Sequence, residues 1–294
     1  MNRFRKLLSQ TKVILLDGAM GTQLMEKGLK AGDIPEMWNL KFPEVIEEIH
    51  LSYIKAGSQI IYTNTFGANR LKLKKGGREK FLEKVNREGV RIARRVAKRE
   101  VLVAGDVGPT GEFLKPYGLW EEEDFQKVFY EQINILIEAG VDLIVLETFS
   151  DIRELKIALE VAKSVSDLPV MASMSFEKGK KGYRTIMGVS IKEMVEELKG
   201  ADVIGANCGS LTPWQMGEVI EEMRRCTDLP ILAKPNAGKS MIKNGKVVYE
   251  VKAEEFAEGM MEVIKKGAKL VGGCCGTNGD YIKKLSEKIK QWEE

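Results

Sequence analysis

The chain has 294 residues, of which 44% are hydrophobic, and its 46 lysine and arginine residues against 43 aspartate and glutamate residues give a net charge of +3. This hydrophobic content can fill a core, so the composition excludes disorder as the default state. No apolar run approaches the roughly 18 residues that a membrane-spanning helix needs, and the first apolar stretch ends at Asp17. We therefore expect a soluble, cytoplasmic chain with no signal peptide and no membrane partner.

Eight short apolar, β-branched runs recur along the chain, each followed by a loop rich in glycine, asparagine, threonine or aspartate. They occupy residues 13–17, 59–65, 101–106, 141–148, 169–176, 202–208, 230–236 and 269–275. Their nearly continuous apolar cores are typical of strands that are buried on both faces of a parallel sheet. Amphipathic stretches between the runs predict helices, among them residues 44–57, 125–140 and 254–267, and each of these three ends at a glycine.

Strands that alternate with helices over the whole chain favour an α/β fold, a (β/α)8 TIM barrel in a single domain spanning residues 1–294, over an open doubly wound sheet. The position of the reactive side chains supports this choice, because they follow the carboxyl ends of the predicted strands. A closed ring directs all these ends at one pocket, whereas an open sheet, with about 4.8 Å between strands, spreads them over tens of ångströms. The side chains are Asp17, Asn64, Asp106, Glu147, Cys208, Asn236, Cys274 and Cys275.

Three of the four cysteines follow strands six and eight of the predicted ring. Cys208 is far from Cys274 and Cys275 in sequence, so the barrel must bring the three thiols together around one ion. Soft thiolates select zinc, and three ligands leave one tetrahedral position for water or substrate. No fourth ligand is obvious, since His50 and Cys226 fall on predicted helices away from the rim. The alternative, that the cysteines are small buried hydrophobes, is the interpretation that we expect for Cys226.

A zinc ion with three thiolates carries a formal charge of −1, which disfavours activation of water and therefore hydrolysis. The same centre suits an incoming thiol, which binds as a nucleophilic thiolate at neutral pH. The cysteine pattern therefore predicts thiol alkylation.

Two carboxylates, Asp17 and Glu147, end strands one and four on the same rim. A buried carboxylate needs a partner, and the ammonium group of an amino acid can serve both. The backbone N–H groups of Gly18 and Ala19 could hold the substrate carboxylate. The alternatives are that each acid only caps the following helix, or that the pair hydrolyses glycosides, which leaves the cysteines without a role.

Several motifs together resemble the homocysteine S-methyltransferase family, and they are similar above all to the homocysteine-binding module of cobalamin-dependent methionine synthases. The motifs are DGAMGT (17–22), TNTFGANR (63–70), GDVGPTGE (105–112), ETFSD (147–151), GANCGS (205–210), PNAG (235–238) and GGCCGT (272–277). The resemblance implies that the three rim cysteines are zinc ligands and that Asp17 and Glu147 hold the homocysteine amino group. It also implies that Asn236 occupies the fourth zinc position without substrate; a turn-forming asparagine is the alternative.

The resemblance thus implies an enzyme with one Zn²⁺ per chain, in which zinc-bound homocysteine thiolate attacks a methyl donor to give methionine. We expect methylcobalamin as the external donor, presented by a separate corrinoid protein or by folate and cobalamin modules in trans. The alternatives are a small donor such as S-methylmethionine or betaine, a thiol-presenting module active only when docked to a partner, and a structural zinc protein. A cationic donor would favour an aromatic cage, for which Trp38, Trp120 and Trp214 are candidates, although packing is the commoner role of such residues.

Residues 70–99 contain 13 basic side chains and three glutamates. Such a run is typical of a solvated face, with a docking surface for an acidic partner as the alternative. No nucleic-acid-binding module is recognisable, so we expect no nucleic-acid partner.

Overall fold

The computed structural model of the chain describes residues 2–243 and 246–294, and its centre is a ring of eight parallel strands. In chain order these are β1 (Ile14–Leu15), β2 (Ile60–Tyr62), β3 (Leu102–Val107), β4 (Leu143–Phe149), β5 (Val170–Met174), β6 (Val203–Asn207), β7 (Ile231–Lys234) and β8 (Leu270–Val271). Each strand pairs in parallel with the next, and β8 pairs with β1. A parallel bridge between Leu16 and Ile60 joins the first and second strands and closes the ring.

Helices surround the ring and connect its strands. They are α1 (Arg3–Gln10), α2 (Gly21–Glu26), α3 (Trp38–Lys41), α4 (Pro43–Ala56), α5 (Arg70–Lys75), α6 (Leu82–Ala97), α7 (Glu122–Glu138), α8 (Ile152–Val165), α9 (Ile191–Glu197), α10 (Pro213–Arg224), α11 (Ala253–Lys265) and α12 (Gly279–Glu293), with 3₁₀ turns at Pro35–Met37 and Glu79–Phe81. Local sequence sets their ends: α4 begins at a proline and stops at Gly57, which adopts the left-handed conformation with φ of 107°.

Two hydrophobic clusters hold the barrel together. One lies between the strands and the surrounding helices. The other fills the interior of the ring with inward-facing side chains that come from all eight strands and from Leu16, directly after β1: Ile14, Leu16, Ile60, Tyr62, Leu102, Ala104, Leu143, Val145, Met171, Val203, Leu232 and Leu270. The barrel is therefore a packed core and leaves no channel through its centre.

The amino-terminal helix α1 closes the bottom of the barrel, at the amino ends of the strands. Phe4 is fully buried and belongs to the interior cluster. Two ion pairs hold the helix against the loops that precede β4 and β6: Arg3 with Asp142 at 3.3 Å and Arg5 with Asp202 at 3.2 Å. The interior is thereby sealed at this end.

The sequence-based prediction of a (β/α)8 barrel is confirmed, and each of the eight predicted runs overlaps one ring strand, with β3 and β4 each extending one residue beyond its run. The predicted helices at residues 44–57, 125–140 and 254–267 correspond to α4, α7 and α11. Two antiparallel hairpins at the carboxyl side of the ring were not predicted, because their strands have only three or four residues and are largely exposed. One pairs Glu177–Gly179 with Gly182–Arg184, and the other pairs Ser240–Lys243 with Lys246–Tyr249.

The basic segment 70–99 forms α5 and α6 on the outside of the barrel. Its arginines pair with nearby carboxylates, for example Arg87 with Glu138 at 2.7 Å and Arg94 with Asp142 at 2.6 Å. These pairs agree with the interpretation of a solvated face.

We expect Phe4→Ala to lower the free energy of unfolding by about 3 kcal/mol or more, since it removes a fully buried aromatic side chain from the interior. Lys6→Ala, an exposed position on the same helix, is the matched control and should change stability by less than about 0.5 kcal/mol. Chemical denaturation measures both. Equal midpoints for the two variants would show that α1 does not seal the barrel.

Candidate functional site

At the carboxyl end of the ring the inward-facing side chains change from apolar to polar. Successive residues of a strand point to opposite faces, so every second residue beyond the interior cluster continues the inward side. Those positions hold Tyr62, Asp106, Glu147, Ser173, Asn207 and Lys234. A polar layer therefore covers the apolar interior where the strands end.

A cavity of about 260 Å³ lies at this polar layer. It brings together seven of the eight site residues predicted from the sequence: Asp17, Gly18, Ala19, Glu147, Cys208, Cys274 and Cys275. The eighth, Asn236, is buried behind the Cys208 loop, where its Nδ2 donates a hydrogen bond to the carbonyl of Gly209.

The three predicted zinc-ligand cysteines form one cluster. The Sγ atoms of Cys208, Cys274 and Cys275 all lie within 4.8 Å of one another, and those of Cys208 and Cys275 are 3.9 Å apart. Metal–sulfur bonds of about 2.3 Å in a tetrahedral site require sulfur–sulfur distances of about 3.8 Å. The cluster therefore matches the dimensions of a three-thiolate metal site.

The backbone that presents these thiols is strained and tightly fixed. Cys208 adopts a φ of 58°, a left-handed conformation that is uncommon for a residue with a side chain. Its N–H donates to the carbonyl of Lys234 at 3.0 Å, and the N–H of Cys274 donates to Pro235 at 2.8 Å. The last residue of β7 and the residue after it thus hold the backbone of both cysteine loops in position.

Electrostatics favour a cation at the thiol cluster. The hydrogen bond with Cys208, burial, and the charges of Cys208 and Glu147 together raise the pKa of the Cys274 thiol well above its usual value. Three thiolates cannot ionise side by side without a compensating positive charge. A divalent ion that prefers soft ligands supplies that charge, so the donor set fits zinc.

Asn236 carries a further unpaired acceptor close to this cluster. Its Oδ1 atom is buried and has no hydrogen-bond partner among the residues that the structure describes. Because Nδ2 is held by Gly209, next to Cys208, the orientation of the amide is fixed. A buried acceptor of this kind is typical of an atom that meets a ligand or an ion.

Asp17 already has a cationic partner within the protein. Lys234 Nζ lies 2.6 Å from its Oδ1, and the backbone N–H of Tyr62 donates to its Oδ2 at 2.7 Å. Burial raises the pKa of Asp17, while the charge of Lys234 opposes this shift. The Lys234 ammonium also lies 3.7 Å from the centroid of the Tyr62 ring. The sequence analysis named only a substrate ammonium group as a partner for Asp17, and Lys234 is a partner that it did not foresee; the Asp17 carboxylate also lines the cavity.

Glu147 is oriented by Asn207, whose side chain joins two strand ends. Asn207 Nδ2 donates to Glu147 Oε2 at 3.2 Å, while its Oδ1 accepts from the N–H of Thr148 at 2.9 Å. The latter bond supports a strained residue, since Thr148 is β-branched and has a φ of 63°. Burial raises the pKa of Glu147 to about 7, with Lys234 opposing the shift and Asp17 adding to it.

Of the two backbone N–H groups that the sequence offered to a substrate carboxylate, those of Gly18 and Ala19, one is already occupied. The Ala19 N–H already donates to Thr277 Oγ1 at 3.2 Å. A side chain at position 18 would place its Cβ only 2.7 Å from the ring of Tyr53, so only glycine fits there. In the part of the chain that the structure describes, the Gly18 N–H has no backbone partner and is the donor left for a substrate carboxylate.

Sequence reasoning missed three residues at this site, and it placed a fourth, Asp106, at the rim without giving it a role. Lys234 and Asn207 could have been found from the two-residue alternation of their strands, which places each on the inward side. Tyr249 could not, because the second hairpin brings it against the Cys275 loop. Burial raises the pKa of Tyr249, and the negative charge of Cys275 adds to this effect.

Other candidates from the sequence lie outside the cavity. His50 is fully buried inside α4, where burial lowers its pKa to about 4, and Cys226 is exposed at the end of α10. Trp38, Trp120 and Trp214 are absent from the described residues that line the cavity. These three tryptophans therefore do not form an aromatic cage at this cavity.

Comparison with known proteins agrees with this geometry. The family model described as homocysteine S-methyltransferase matches residues 14–289. The chain belongs to the homocysteine S-methyltransferase family. The predicted family resemblance is thus confirmed, and the family is one of methyltransferases that act on homocysteine.

Individual relatives match nearly all of this chain, but the chain covers very different shares of them. The methionine synthase of Mycobacterium tuberculosis is 32% identical over 96% of this chain, and that of Mycobacterium leprae is 31% identical over 95%. The chain spans only about a quarter of the length of these two relatives. The metallated form of the homocysteine methyltransferase MmuM from Escherichia coli superposes with a TM-score of 0.81 at 25% identity, over 98% of this chain and 100% of that protein.

Within residues 2–243 and 246–294, no helix is long and apolar enough to cross a membrane.

We expect Lys234→Met to lower the free energy of unfolding by about 3 to 5 kcal/mol, because it leaves the Asp17 carboxylate buried without its cation. The double variant Asp17→Asn with Lys234→Met should recover a large part of this loss. Chemical denaturation of the metal-free protein measures both variants.

The exposed pair between Lys156 and Glu197 offers a matched control. Lys156→Met should cost less than about 1 kcal/mol. A loss at Lys234→Met as small as this would show that Asp17 does not depend on the lysine.

Proposed function

We propose that this chain is a zinc-dependent homocysteine S-methyltransferase that forms methionine, and that residues 1–294 make up its homocysteine-binding barrel domain. The observation that carries the proposal is the approach of three sulfur atoms, from Cys208, Cys274 and Cys275, to within 4.8 Å of one another beside a cavity lined by carboxylates. Zinc held by these thiolates would supply acidification of the homocysteine thiol at neutral pH, leaving its sulfur nucleophilic.

The residues around the cavity bind and orient the amino-acid part of homocysteine. Glu147 offers its carboxylate to the ammonium group, and the Gly18 N–H offers a donor to the substrate carboxylate, with Ala19 beside it in the same turn. Asp17 supports this arrangement through its ion pair with Lys234. Asn236 Oδ1 would fill the fourth metal position before homocysteine arrives, because this atom lacks a hydrogen-bond partner among the described residues.

The reaction needs no covalent intermediate on the protein and no strong base. The homocysteine sulfur attacks the methyl carbon, the new S–C bond forms as the bond to the donor breaks, and the electron pair leaves with the donor. The thiol proton has already been lost on binding. The contribution of the protein is therefore alignment of sulfur, methyl group and leaving group.

We propose methylcobalamin as the donor, carried by a separate corrinoid protein or by folate and cobalamin modules acting in trans. The supporting observation is the similarity to methionine synthases, of which this chain spans about a quarter. The placement of Trp38, Trp120 and Trp214 away from the cavity also disfavours a tryptophan cage for a small cationic donor such as S-methylmethionine or betaine. A small donor remains the alternative, because MmuM is similar along its whole length.

A second candidate is a thiol-presenting module that is inactive until a methyl-carrying protein docks on its rim. This candidate is favoured because the chain spans only about a quarter of the length of the methionine synthases. Both candidates place the chain in a reducing compartment, the cytoplasm, since three free thiols must stay unoxidised.

Cys274→Ser should remove zinc and activity while the barrel remains folded, because serine is a poor ligand for zinc in a soft site. Zinc content by atomic absorption, methionine formation and circular dichroism test this together. Cys226→Ser, at the exposed fourth cysteine, is the matched control and should keep its zinc. If Cys274→Ser unfolds when the metal leaves, zinc is structural; if added homocysteine gives no zinc–sulfur bond in X-ray absorption, the proposal fails.

A panel of methylcobalamin, S-methylmethionine and betaine, each with homocysteine and the zinc-loaded chain, tests the donor. We expect methionine from methylcobalamin and none from the two small donors. Turnover with S-methylmethionine or betaine would contradict the donor proposal. Turnover with methylcobalamin only after a corrinoid protein is added would favour the docked module.

A further inference from the structure

Asp106 is a buried carboxylate in the cavity, and among the described residues its side chain has no hydrogen-bond or ion-pair partner. It lies near the end of β3, and its side chain is only 6% exposed. Its main chain is fixed, because its N–H donates to Thr63 Oγ1 at 3.0 Å and its carbonyl accepts from Thr65 Oγ1 at 2.7 Å. Yet its Oδ1 is buried without a hydrogen-bond partner, and no ion pair reaches its carboxylate among the described residues.

Strand register places Asp106 next to Glu147. Asp106 pairs with Val145 across β3 and β4, and Glu147 lies two residues further along β4 on the same, inward side. Both side chains line the cavity. Burial raises the pKa of Asp106 well above its usual range, and the charge of Glu147 adds to this effect while Lys234 opposes it.

The charges that line the cavity do not balance. Four carboxylates, those of Asp17, Glu36, Asp106 and Glu147, line the cavity with a single lysine among the described lining residues. Glu36 accepts a hydrogen bond from the backbone N–H of Gly67. The lysine, Lys234, lies 2.6 Å from Asp17, and among the described residues neither Asp106 nor Glu147 has an ion pair. Two neighbouring buried carboxylates without a cation are costly to ionise, so the cavity is built to receive one positive charge.

We propose that Asp106 and Glu147 together bind the ammonium group of the amino-acid substrate, while Asp17 acts only through Lys234. The inference rests on the proposed function and deepens it, since it assigns a substrate contact to a residue that the family resemblance did not supply. It makes Asp106 a specificity residue that selects thiols carrying an α-ammonium group. A thiol without that group leaves both acids unpaired and is rejected.

The test compares homocysteine with 4-sulfanylbutanoate, which lacks only the amino group. Dissociation constants of both ligands are measured by calorimetry on the zinc-loaded full chain, in the wild type and in Asp106→Asn. We expect Asp106→Asn to weaken homocysteine binding about tenfold or more and to leave 4-sulfanylbutanoate unchanged or bound more tightly. The preference of the wild type for the aminated ligand should therefore fall at least about tenfold.

Asp142→Asn makes the same chemical change at the sealed end of the barrel, and it should leave the ratio of the two dissociation constants unchanged. Asp106→Asn should also raise the unfolding midpoint of the ligand-free protein, because it removes an uncompensated buried acid. Asp106→Ser, which is smaller, should give the same loss of preference. Agreement of the two variants at position 106 guards against an effect of misfolding.

An unchanged ratio in both Asp106 variants, with wild-type zinc content, would overturn the inference and leave the proposed function standing. Failure of the wild-type chain to bind homocysteine at all would overturn both.

Discussion

This site depends on one constraint, which is that many acidic groups are concentrated in one largely buried pocket. Three thiols and four carboxylates share one end of the ring, and the cavity lining among the described residues holds one lysine. Such a cluster is costly to ionise by itself, because each new charge is desolvated and faces others of the same sign. Under the proposed function, positive charge comes from outside the chain, as a soft metal ion at the sulfurs and as an ammonium group at the acids. The same imbalance therefore explains both halves of the proposed substrate complex.

Closed parallel topology makes this concentration possible. Six of the eight strands, β2 to β7, contribute a polar inward residue at the point where the apolar interior ends, so side chains far apart in the sequence share one layer. Strained backbone accompanies the arrangement: Cys208 and Thr148 both adopt positive φ values at strand ends. Asn207 lies beside both, since it precedes Cys208 and bonds the N–H of Thr148. The fixed side-chain amide of Asn207 thus helps to hold the Cys208 thiol and the Glu147 carboxylate in position.

Much of this fold could be predicted from the sequence, because strands buried on both faces leave continuous apolar runs that are hard to mistake. The thiol cluster could be predicted as well, since the ends of strands six and eight must be near each other in a closed ring. The partner of Asp17 was missed because a lysine at the end of an apolar run, as in ILAKPN, reads as an exposed residue. The side-chain alternation of β7, counted inward from Leu232, would have placed Lys234 beside the acid.

Other features could not have been derived in this way. The sequence of the hairpin that carries Tyr249, SMIKNGKVVY, is typical of a hairpin because Asn-Gly lies between two apolar pairs, but nothing in it indicates that the hairpin folds over the cysteine loops. The availability of a backbone donor also depends on tertiary contacts. The Ala19 N–H is occupied by Thr277, from the far end of the chain, and only the folded structure reveals this.

The seal formed by α1 has a consequence for the order of events under the proposed function. With Phe4 filling the bottom of the barrel, both reactants must come and go through the same mouth. A methyl donor that reaches the homocysteine sulfur through this mouth would cover the bound homocysteine, so we expect homocysteine to enter first. Methionine can then depart only after the spent donor has withdrawn. The barrel thus imposes a compulsory sequence in which the last molecule to arrive is the first to leave.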